Sequence, residues 1–389
     1  MTADAPIESS RPSVATRTVC TRCVCDTTIP GIRFDSNGVC TYCRIHDAME
    51  RRFPLGQEGQ RRLQALVARI QSAGRGHDHD CIVGVSGGAD STYCLLQAVR
   101  FGLRPLAVHL DNGWNSSVAE TNIRNAVDLL KVPLRTATCD LEEFNDIQRA
   151  FLRASVPDAE VPTDVAIIAA LYGAAEEQGI KYVLNGHSFR AEGVSPLGWT
   201  YMDGRYIATV HSRYGQVPMR TFPNLTISAL VRYAILRRIR TVPLLAYIDY
   251  NKAESKAIVA REVGWQDYGG HHHESVYTKF VATVLLPRKF GIDKRIIEYS
   301  AHIRSGQMMR DEALARLAVP EPVDPALEDE CRTRLGIDET EWQTLMSAPV
   351  RSFRDYGTYF PFIKLARPAI WLACRMSILP HIFYEKYFA

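Results

Sequence analysis

The chain has 389 residues, with 46 Lys and Arg against 43 Asp and Glu, and it is 46% hydrophobic and 23% charged. These values predict a soluble globular protein of about two to three domains and exclude fibrous and largely disordered classes. A formal net charge of +3 is too small for a surface built to wrap nucleic acid. No stretch reaches the about 18 apolar residues of a transmembrane segment and the N-terminus lacks an apolar signal core, so a cytoplasmic protein is expected.

The predicted elements follow one another in a simple order. Residues 1–17, rich in Pro, Ser, Thr and Ala, predict a disordered N-terminus, and residues 18–48 hold a cluster of cysteines. A helix is expected from Met49 to Ile70. Short β-branched runs then alternate with helical patterns up to residue 220. The strands are predicted at 81–85, 105–110, 134–139 and 181–186, and the helices at 91–101, 118–130, 143–154 and 163–178.

Strands that are separated by helical crossovers indicate parallel βαβ units. The predicted fold class is therefore α/β, with a doubly wound parallel sheet over residues 49–220 that binds ligands at the carboxyl ends of its strands. The cysteine cluster at 18–48 is expected to be a separate zinc-binding knuckle. Residues 221–389 are expected to form a mostly helical region that binds substrate or partners.

The cysteine cluster has metal-ligand spacing. Five of the ten cysteines lie between residues 20 and 43, which is not the distribution of a disulfide framework. Cys20-x-x-Cys23 and Cys40-x-x-Cys43 match two zinc knuckles, and together they offer four thiolates. We expect a structural Zn²⁺, because four sulfur ligands leave no open position for water. Cys25 is one residue too far into the knuckle and is expected to stay outside the ligand set.

The segment VGVSGGADSTYCLL, residues 83–96, is the most informative one. A predicted strand runs into Ser86, Gly87, Gly88, Asp90 and Ser91, and a helix begins at once. The two glycines let the backbone turn and present N–H groups, and the helix N-terminus adds partial positive charge. The segment is therefore predicted to be a pyrophosphate cradle, although a tight strand-to-helix connection would also use two glycines.

The six residues SGGADS resemble the signature of the PP-loop ATP pyrophosphatases, which cleave ATP between the α and β phosphates and adenylate an oxygen of their substrate. The resemblance implies ATP and Mg²⁺ as cofactors, with Asp90 as the nearest carboxylate for the metal. It also implies that Asp111, after the second strand, holds the adenosine part. LNGHSFRAEG, residues 184–193, is similar to the loop that completes the nucleotide pocket, with Gly186, His187 and Glu192 as candidates.

Six motifs in order resemble the N-acetyl sugar amidotransferase family of bacterial surface-polysaccharide biosynthesis, over roughly residues 18–385. They are the knuckle, SGGADS, DNGWNS, GGHHHESVYTKF, LPRKFGIDKR and SGQMMRDEAL. The resemblance implies ATP-dependent conversion of an acetamido group on a nucleotide sugar into an acetamidino group, for lipopolysaccharide O-antigen. It also implies partner proteins similar to the glutaminase and cyclase subunits of histidine biosynthesis, which deliver the ammonia.

Candidate substrate residues lie mostly in the second half. His271, His272 and Glu274 belong to one run, and contact with substrate is favoured there over a metal site, because contiguous side chains diverge. Lys289, Lys294 and Arg295 suit phosphate or sugar carboxylate, although a solvated charged face is the alternative. Asp164 is either a helix N-cap or a residue facing the same crevice. We expect Ser86, Asp90, Glu274 and Lys289 to act in catalysis.

Two other functions fit parts of the sequence. PP-loop proteins with an N-terminal knuckle include tRNA thiolation enzymes, but these use a reactive cysteine, and Cys139 is the candidate near a strand end. A nucleotide-binding scaffold without activity is disfavoured by the complete SGGADS segment. No cysteine has the setting of a glutaminase nucleophile, so ammonia is expected from solution or from a partner. The aromatic C-terminus is expected to pack into a helical core, with contact to a membrane or a partner as the alternative.

Overall fold

A computed structural model describes residues 17–270, 272–376, 378, 379 and 381–388 of the chain. Its centre is a five-stranded sheet with the order β3-β2-β1-β4-β5, and every neighbouring pair is parallel. The strands are β1 (Cys81–Gly84), β2 (Pro105–Asp111), β3 (Leu134–Thr138), β4 (Tyr182–Asn185) and β5 (Arg240–Pro243). The four predicted strands are thus found within one or two residues of their expected bounds.

Helices surround this sheet. Those up to the last strand are α1 (Thr41–Arg52), α2 (Gly56–Ala73), α3 (Ala89–Arg100), α4 (Ser117–Leu130), α5 (Leu141–Ala154), α6 (Val161–Glu177), α7 (Gly204–Tyr214) and α8 (Ile227–Val231). Those that follow are α9 (Lys252–Val263), α10 (Val276–Phe280), α11 (Arg295–Arg304), α12 (Arg310–Leu317), α13 (Ala326–Leu335), α14 (Glu339–Ser347), α15 (Phe360–Leu365), α16 (Arg367–Arg375) and α17 (His381–Phe388). Helices α8 and α10 continue as π-helical turns, Arg232–Leu236 and Val281–Phe290, and short 3₁₀ turns occupy Leu244–Tyr247 and Phe353–Asp355.

Both faces of the sheet are covered. Cys81 and Val83 pack into a core that also holds residues of α3, α4 and α9, whereas Ile82, between them in the sequence, packs into a second core with residues of α6. Successive strand side chains point to opposite faces, so a strand that is buried on both faces must be continuously apolar, as CIV is. The predicted α/β fold with a doubly wound parallel sheet is confirmed.

Two boundaries differ from the prediction. The single helix expected from Met49 to Ile70 is two helices, α1 and α2, which are interrupted around Pro54 because proline has no N–H to donate and disfavours helical backbone before it. The fifth strand, Arg240–Pro243, lies past residue 220, where the sheet domain was predicted to end. The last strand therefore comes from the region that the sequence assigned to the helical C-terminal part.

The mostly helical C-terminal region packs against the N-terminal knuckle. One buried core contains Cys20, Ile29 and Ile45 of the N-terminal part together with Leu285 and Ile296 of the C-terminal part. Within the described ranges, no helix combines the length and the apolar composition needed to cross a bilayer.

Candidate functional site

The cradle, residues Ser86–Ser91, joins β1 to α3 at the carboxyl edge of the sheet. Gly87 has φ of +80°, and a Cβ atom there would lie 2.4 Å from the backbone oxygen of Ala119, so only glycine fits. The Gly87 carbonyl is held by the Trp265 indole N–H at 2.9 Å and by the Asn122 amide at 3.2 Å. Contacts from separate parts of the chain thus fix the conformation of the loop. The loop leads directly into the N-terminus of α3, which favours binding of an anion.

Two serines line the mouth of the cradle. The Ser91 hydroxyl accepts a hydrogen bond from the Ser86 backbone N–H at 3.2 Å, and the two hydroxyls are also 3.2 Å apart. The Ser86 hydroxyl donates to Oε1 of Glu274 at 3.1 Å. A Cβ atom on Gly88 would lie 2.8 Å from that same carboxylate oxygen. The predicted catalytic residue Glu274 therefore lies at the cradle, 188 positions away from Ser86 in the sequence.

A chain of opposite charges extends from Glu274. His272 lies between Glu274 and Glu192, with its ring nitrogens 3.6 and 3.7 Å from the two carboxylates. Glu192 also accepts from Nδ1 of His187 at 2.6 Å. Burial alone would lower the pKa of His272, but its two carboxylate neighbours outweigh burial and raise the pKa well above the ordinary value. His272 is thus held as a cation between two carboxylates.

Asp90 is buried and paired. One carboxylate oxygen forms an ion pair with Lys252, and the other accepts a hydrogen bond from the Tyr250 hydroxyl. Burial would lower the pKa of Lys252, but the nearby carboxylates of Asp90 and Glu192 raise it instead. Binding of Mg²⁺ by Asp90 stays a prediction. A metal ion at this carboxylate would have to share it with Lys252.

Lys252 was missed by the sequence analysis. It is the first residue of α9, after the capping Asn251, and no motif surrounds it. Only the packing of α9 against α3 brings its ammonium to Asp90.

The other two residues predicted to bind the nucleotide, Asp111 and Gly186, lie at the ends of β2 and β4, the strands on either side of β1. A Cβ atom on Gly186, after β4, would lie 2.9 Å from the Asp90 backbone oxygen, so this glycine permits close contact with the start of α3. Asp111, at the end of β2, accepts from the Gly113 backbone N–H at 2.9 Å and shapes the following turn. That turn is linked to the run containing Glu274, because the Ser116 N–H donates to the Glu274 carbonyl at 2.9 Å.

A cleft of about 380 Å³ lies beside these groups. Its charged and aromatic lining includes Lys252, Lys256, His272, His273, Lys294, Arg295, Glu298, Tyr299, His302, Glu312, Arg316 and Glu321. Most of these side chains come from α11 and its neighbours. Every Lys and Arg of this lining also pairs with a carboxylate, so the wall consists of ion pairs whose cations an anionic ligand could contact.

The predicted substrate residues Lys294 and Arg295 both line the cleft, but neither ion is unpaired. Lys294 contacts Glu160 at 2.9 Å, and Arg295 contacts Asp293 at 2.7 Å. Asp164 does not cap its helix, because the N-cap position of α6 is Glu160. Burial, assisted by Glu160, raises the pKa of Asp164 to about 6 against the opposing charges of Lys294 and His272. Asp164 thus lies near Lys294 and His272, two residues that line the cleft.

Lys289, which the sequence analysis expected to act in catalysis, is not positioned for that role. Its ammonium donates to the Leu345 carbonyl and it is not among the residues that line the cleft, because the π-helical segment Val281–Phe290 turns it toward α14. His271, a predicted substrate residue, lies outside the described residues.

Glu298 was also missed by the sequence analysis. It is a cleft residue on α11, and burial raises its pKa to about 7 against the nearby Lys252 and His272. Its signal in the sequence is weak, since a glutamate in the first turn of a helix is ordinary.

Cys139, which the thiolation alternative requires, does not line the cleft. It borders a second cavity of about 300 Å³ between β3, α5 and α6. Burial raises the pKa of its thiol to about 11, which disfavours the reactive thiolate.

The knuckle brings its four predicted ligands together. The Sγ atoms of Cys20, Cys23, Cys40 and Cys43 all lie within 4.8 Å of one another, and three of the pairs are 3.7 to 3.8 Å apart. Four thiolates at about 2.3 Å from a tetrahedral zinc ion are separated by about 3.8 Å. The four cysteines therefore fit a tetrahedral metal, and Cys25 is outside the set.

The knuckle also holds the cleft wall. Ser300, on α11, accepts from the Val24 N–H and from the Cys25 thiol, each at 3.2 Å. Arg310 donates to the carbonyl of Cys23 at 3.2 Å and to that of Cys20 at 3.1 Å. The cleft residues Glu298 and His302 are on the same helix as Ser300. Helix α11 therefore links the knuckle to the wall of the cleft.

This fold and this site define a class: a parallel α/β protein with an anion cradle at its first strand-to-helix turn, completed by a helical C-terminal part. Residues 274–367 match the family model described as LPS biosynthesis protein WbpG-like, C-terminal domain. This match covers about a quarter of the chain and agrees with the resemblance found in the motifs. The match begins at Glu274, the residue that contacts the cradle.

Comparison with solved structures gives weaker similarities. A predicted subunit of tRNA methyltransferase from Methanocaldococcus jannaschii is 12% identical over 46% of this chain and 75% of that chain, with a TM-score of 0.28. NMN synthetase from Francisella tularensis is 14% identical over 72% of this chain and 97% of that chain, with a TM-score of 0.29. No curated protein matches the chain.

Proposed function

We propose that this chain is an ATP-dependent enzyme of lipopolysaccharide biosynthesis, and specifically an amidotransferase. It converts an acetamido group of a nucleotide-activated sugar into an acetamidino group, in the cytoplasm, with ammonia from a partner glutaminase. The observation that carries the proposal is the hydrogen bond between Ser86 of the cradle and Glu274, where the WbpG-like domain begins. The cradle proposed to bind ATP is thereby in direct contact with the WbpG-like segment.

An amide carbon is a poor electrophile, so its oxygen must first become a leaving group. In the proposed reaction, the amide oxygen attacks the α-phosphorus of ATP and pyrophosphate leaves. Ammonia then adds to the carbon of the O-adenylyl imidate, and AMP leaves with the former amide oxygen. Protein catalysis of such steps is mainly positioning and electrostatic stabilisation.

The residues of the site can be assigned to these steps. Ser86, Gly88 and the N-terminus of α3 bind the departing pyrophosphate, which Mg²⁺ carried with ATP would partly neutralise. Lys252 and His272 place two cations between the cradle and the cleft, where charge develops on the phosphates. Lys294 and Arg295 supply the cationic wall for the phosphates of the nucleotide sugar.

A proton must leave the attacking nitrogen when ammonia adds to the imidate carbon, and it returns to the strongly basic amidine as AMP leaves. Glu298 is the suitable acceptor, because it lines the cleft and its pKa of about 7 makes proton exchange possible near neutral pH. The structural zinc takes no part in these steps, and the cysteines of the knuckle only hold the wall in place.

The source of ammonia follows from the cysteines. Cys81 and Cys94 are buried in the core below the cradle, and burial raises the pKa of Cys94 to about 12, so this thiol cannot serve as a glutaminase nucleophile. The proposed source of ammonia is therefore solution or docked glutaminase and cyclase-like subunits.

The test is product analysis with the purified full chain, ATP, Mg²⁺, ammonium and candidate diacetamido nucleotide sugars. We expect mass spectrometry to show replacement of one oxygen by NH, together with sugar-dependent AMP and pyrophosphate release. Glutamine alone should give almost no turnover until the partner subunits are added. Release of AMP that depends on tRNA, or robust glutamine use by the isolated chain, would contradict the proposal. The Cys139→Ala variant should keep its ammonium-dependent activity.

A further inference from the structure

The C-terminal helices α15 and α16 carry an exposed apolar surface that the proposed reaction does not use. Its members, here called the C-terminal patch, are Phe362, Leu365, Trp371, Leu372 and Met376, which are between 47% and 84% exposed. The two helices are separated by one residue, Ala366, which ends α15 and precedes α16. Phe362 and Leu365 are three residues apart and Leu372 and Met376 are four apart, which within each helix is the spacing of one face.

The charges around the patch are mostly positive. Between Asp355 and Glu385 the sequence has no acidic residue, whereas Lys364, Arg367 and Arg375 are basic. The C-terminal end of α1 adds Arg52 near Cys374, whereas Arg51 lies near the carboxylate of Glu385, which is itself near Cys374. An apolar, tryptophan-containing face with a basic rim is the composition of a surface that lies in the interface of an anionic membrane.

A second exposed apolar surface gives the contrast. Ile235 and Leu236, after α8, are 58% and 72% exposed, and Arg232 and Arg237 beside them share the single carboxylate of Glu176. That surface therefore also combines apolar side chains with basic residues. The C-terminal patch differs because it contains an exposed tryptophan, a residue type that is enriched at membrane interfaces.

We propose that the C-terminal patch docks this protein onto an anionic phospholipid surface. The apolar side chains enter the boundary between headgroups and acyl chains, and the basic rim contacts the anionic headgroups. Basic residues near such a surface are attracted to it, and this attraction falls with salt. Docking would be peripheral and reversible, and it does not depend on the proposed reaction.

Trp371 provides a built-in reporter. It is 47% exposed, whereas the other four tryptophans, Trp114, Trp199, Trp265 and Trp342, are at most 6% exposed. With vesicles of phosphatidylglycerol and phosphatidylcholine, we expect the full chain to co-sediment and its emission to shift to the blue. Vesicles of phosphatidylcholine alone should retain at least tenfold less protein. The emission shift should vanish in Trp371→Phe.

Matched variants separate docking from misfolding. Leu365→Glu should lower binding to the anionic vesicles at least tenfold, and Leu236→Glu, an equally exposed position on the other surface, should leave it unchanged. Both variants should keep the far-ultraviolet circular dichroism and the ammonium-dependent activity of the parent. No binding to anionic vesicles, equal binding to neutral ones, or a change of oligomeric state in Leu365→Glu without any vesicle binding would overturn the proposal. The last result would mean that the patch joins two copies of the chain.

Discussion

The knuckle and the cleft form one connected body but are assembled in different ways. The four clustered cysteines, which could hold a metal ion, lie between residues 20 and 43, and their side chains meet through a short turn and the first turn of α1. The cleft, in contrast, is linked to the cradle by pairs of residues that are far apart in the sequence. Lys252 pairs with Asp90, and His272 contacts Glu274, which binds Ser86. A site whose members are close in sequence can be recognised from spacing, whereas a site assembled by packing cannot.

The largest effect is expected at the cradle, from Gly87→Ala. The new Cβ atom would meet backbone atoms of Ala119, which cannot swing aside, at a φ that favours glycine. We expect loss of detectable AMP formation and a clear drop in thermal stability. The control is Gly173→Ala, within α6, where a Cβ atom meets nothing within 4 Å and alanine favours the helix. Equal activity of the Gly87→Ala variant and the parent would contradict the assignment of the cradle.

The second prediction concerns the knuckle. Cys23→Ser should reduce bound zinc from about one per chain to near zero, as measured by elemental analysis. Stability should fall by several kcal/mol, because binding of a structural metal is part of the folding free energy. Cys25→Ser, outside the ligand set, should keep the metal. Retention of zinc by the Cys23→Ser variant would show that the ion is bound elsewhere.

The third prediction tests the buried ion pair of the cleft. Lys252→Ala leaves the Asp90 carboxylate buried without its cation, which costs about 3 kcal/mol or more in stability. Turnover should fall by about a hundredfold or more, since the cation beside the cradle is lost. Lys256→Ala is the control, because Lys256 also lines the cleft but pairs with the exposed Asp267. Similar losses in the two variants would argue that general cleft charge, rather than the Asp90 pair, is what matters.

The fourth prediction, with the smallest effect, concerns pH. Because burial raises the pKa of Glu298 to about 7, the carboxylate that accepts a proton forms mainly above that pH. The turnover number at saturating ammonia should therefore fall as pH drops below about 7. Glu298→Gln should lower it by about tenfold to a hundredfold and remove this acidic limb. An unchanged pH profile in the variant would assign the limb to another group.

Much of the fold could be predicted from the sequence. Strand runs such as CIV and LAV are continuously apolar, so their burial on both faces of a parallel sheet was evident before the structure. The fifth strand was not, because Arg240–Pro243 is short and follows a basic helical segment. Its pairing depends on the neighbouring β4, which is a tertiary partner.

The sequence by itself determined the cysteine ligands, the glycine turn of the cradle and the strand ends that flank it. Each of these depends on local geometry: thiol spacing, positive φ, or the position where a strand stops. The tertiary structure decided the charge partners. It joined Asp90 to Lys252, placed His272 between two carboxylates, and turned Lys289 away from the cleft. Electrostatic pairs between distant segments leave no periodic pattern in a sequence, since they depend on which helices pack together.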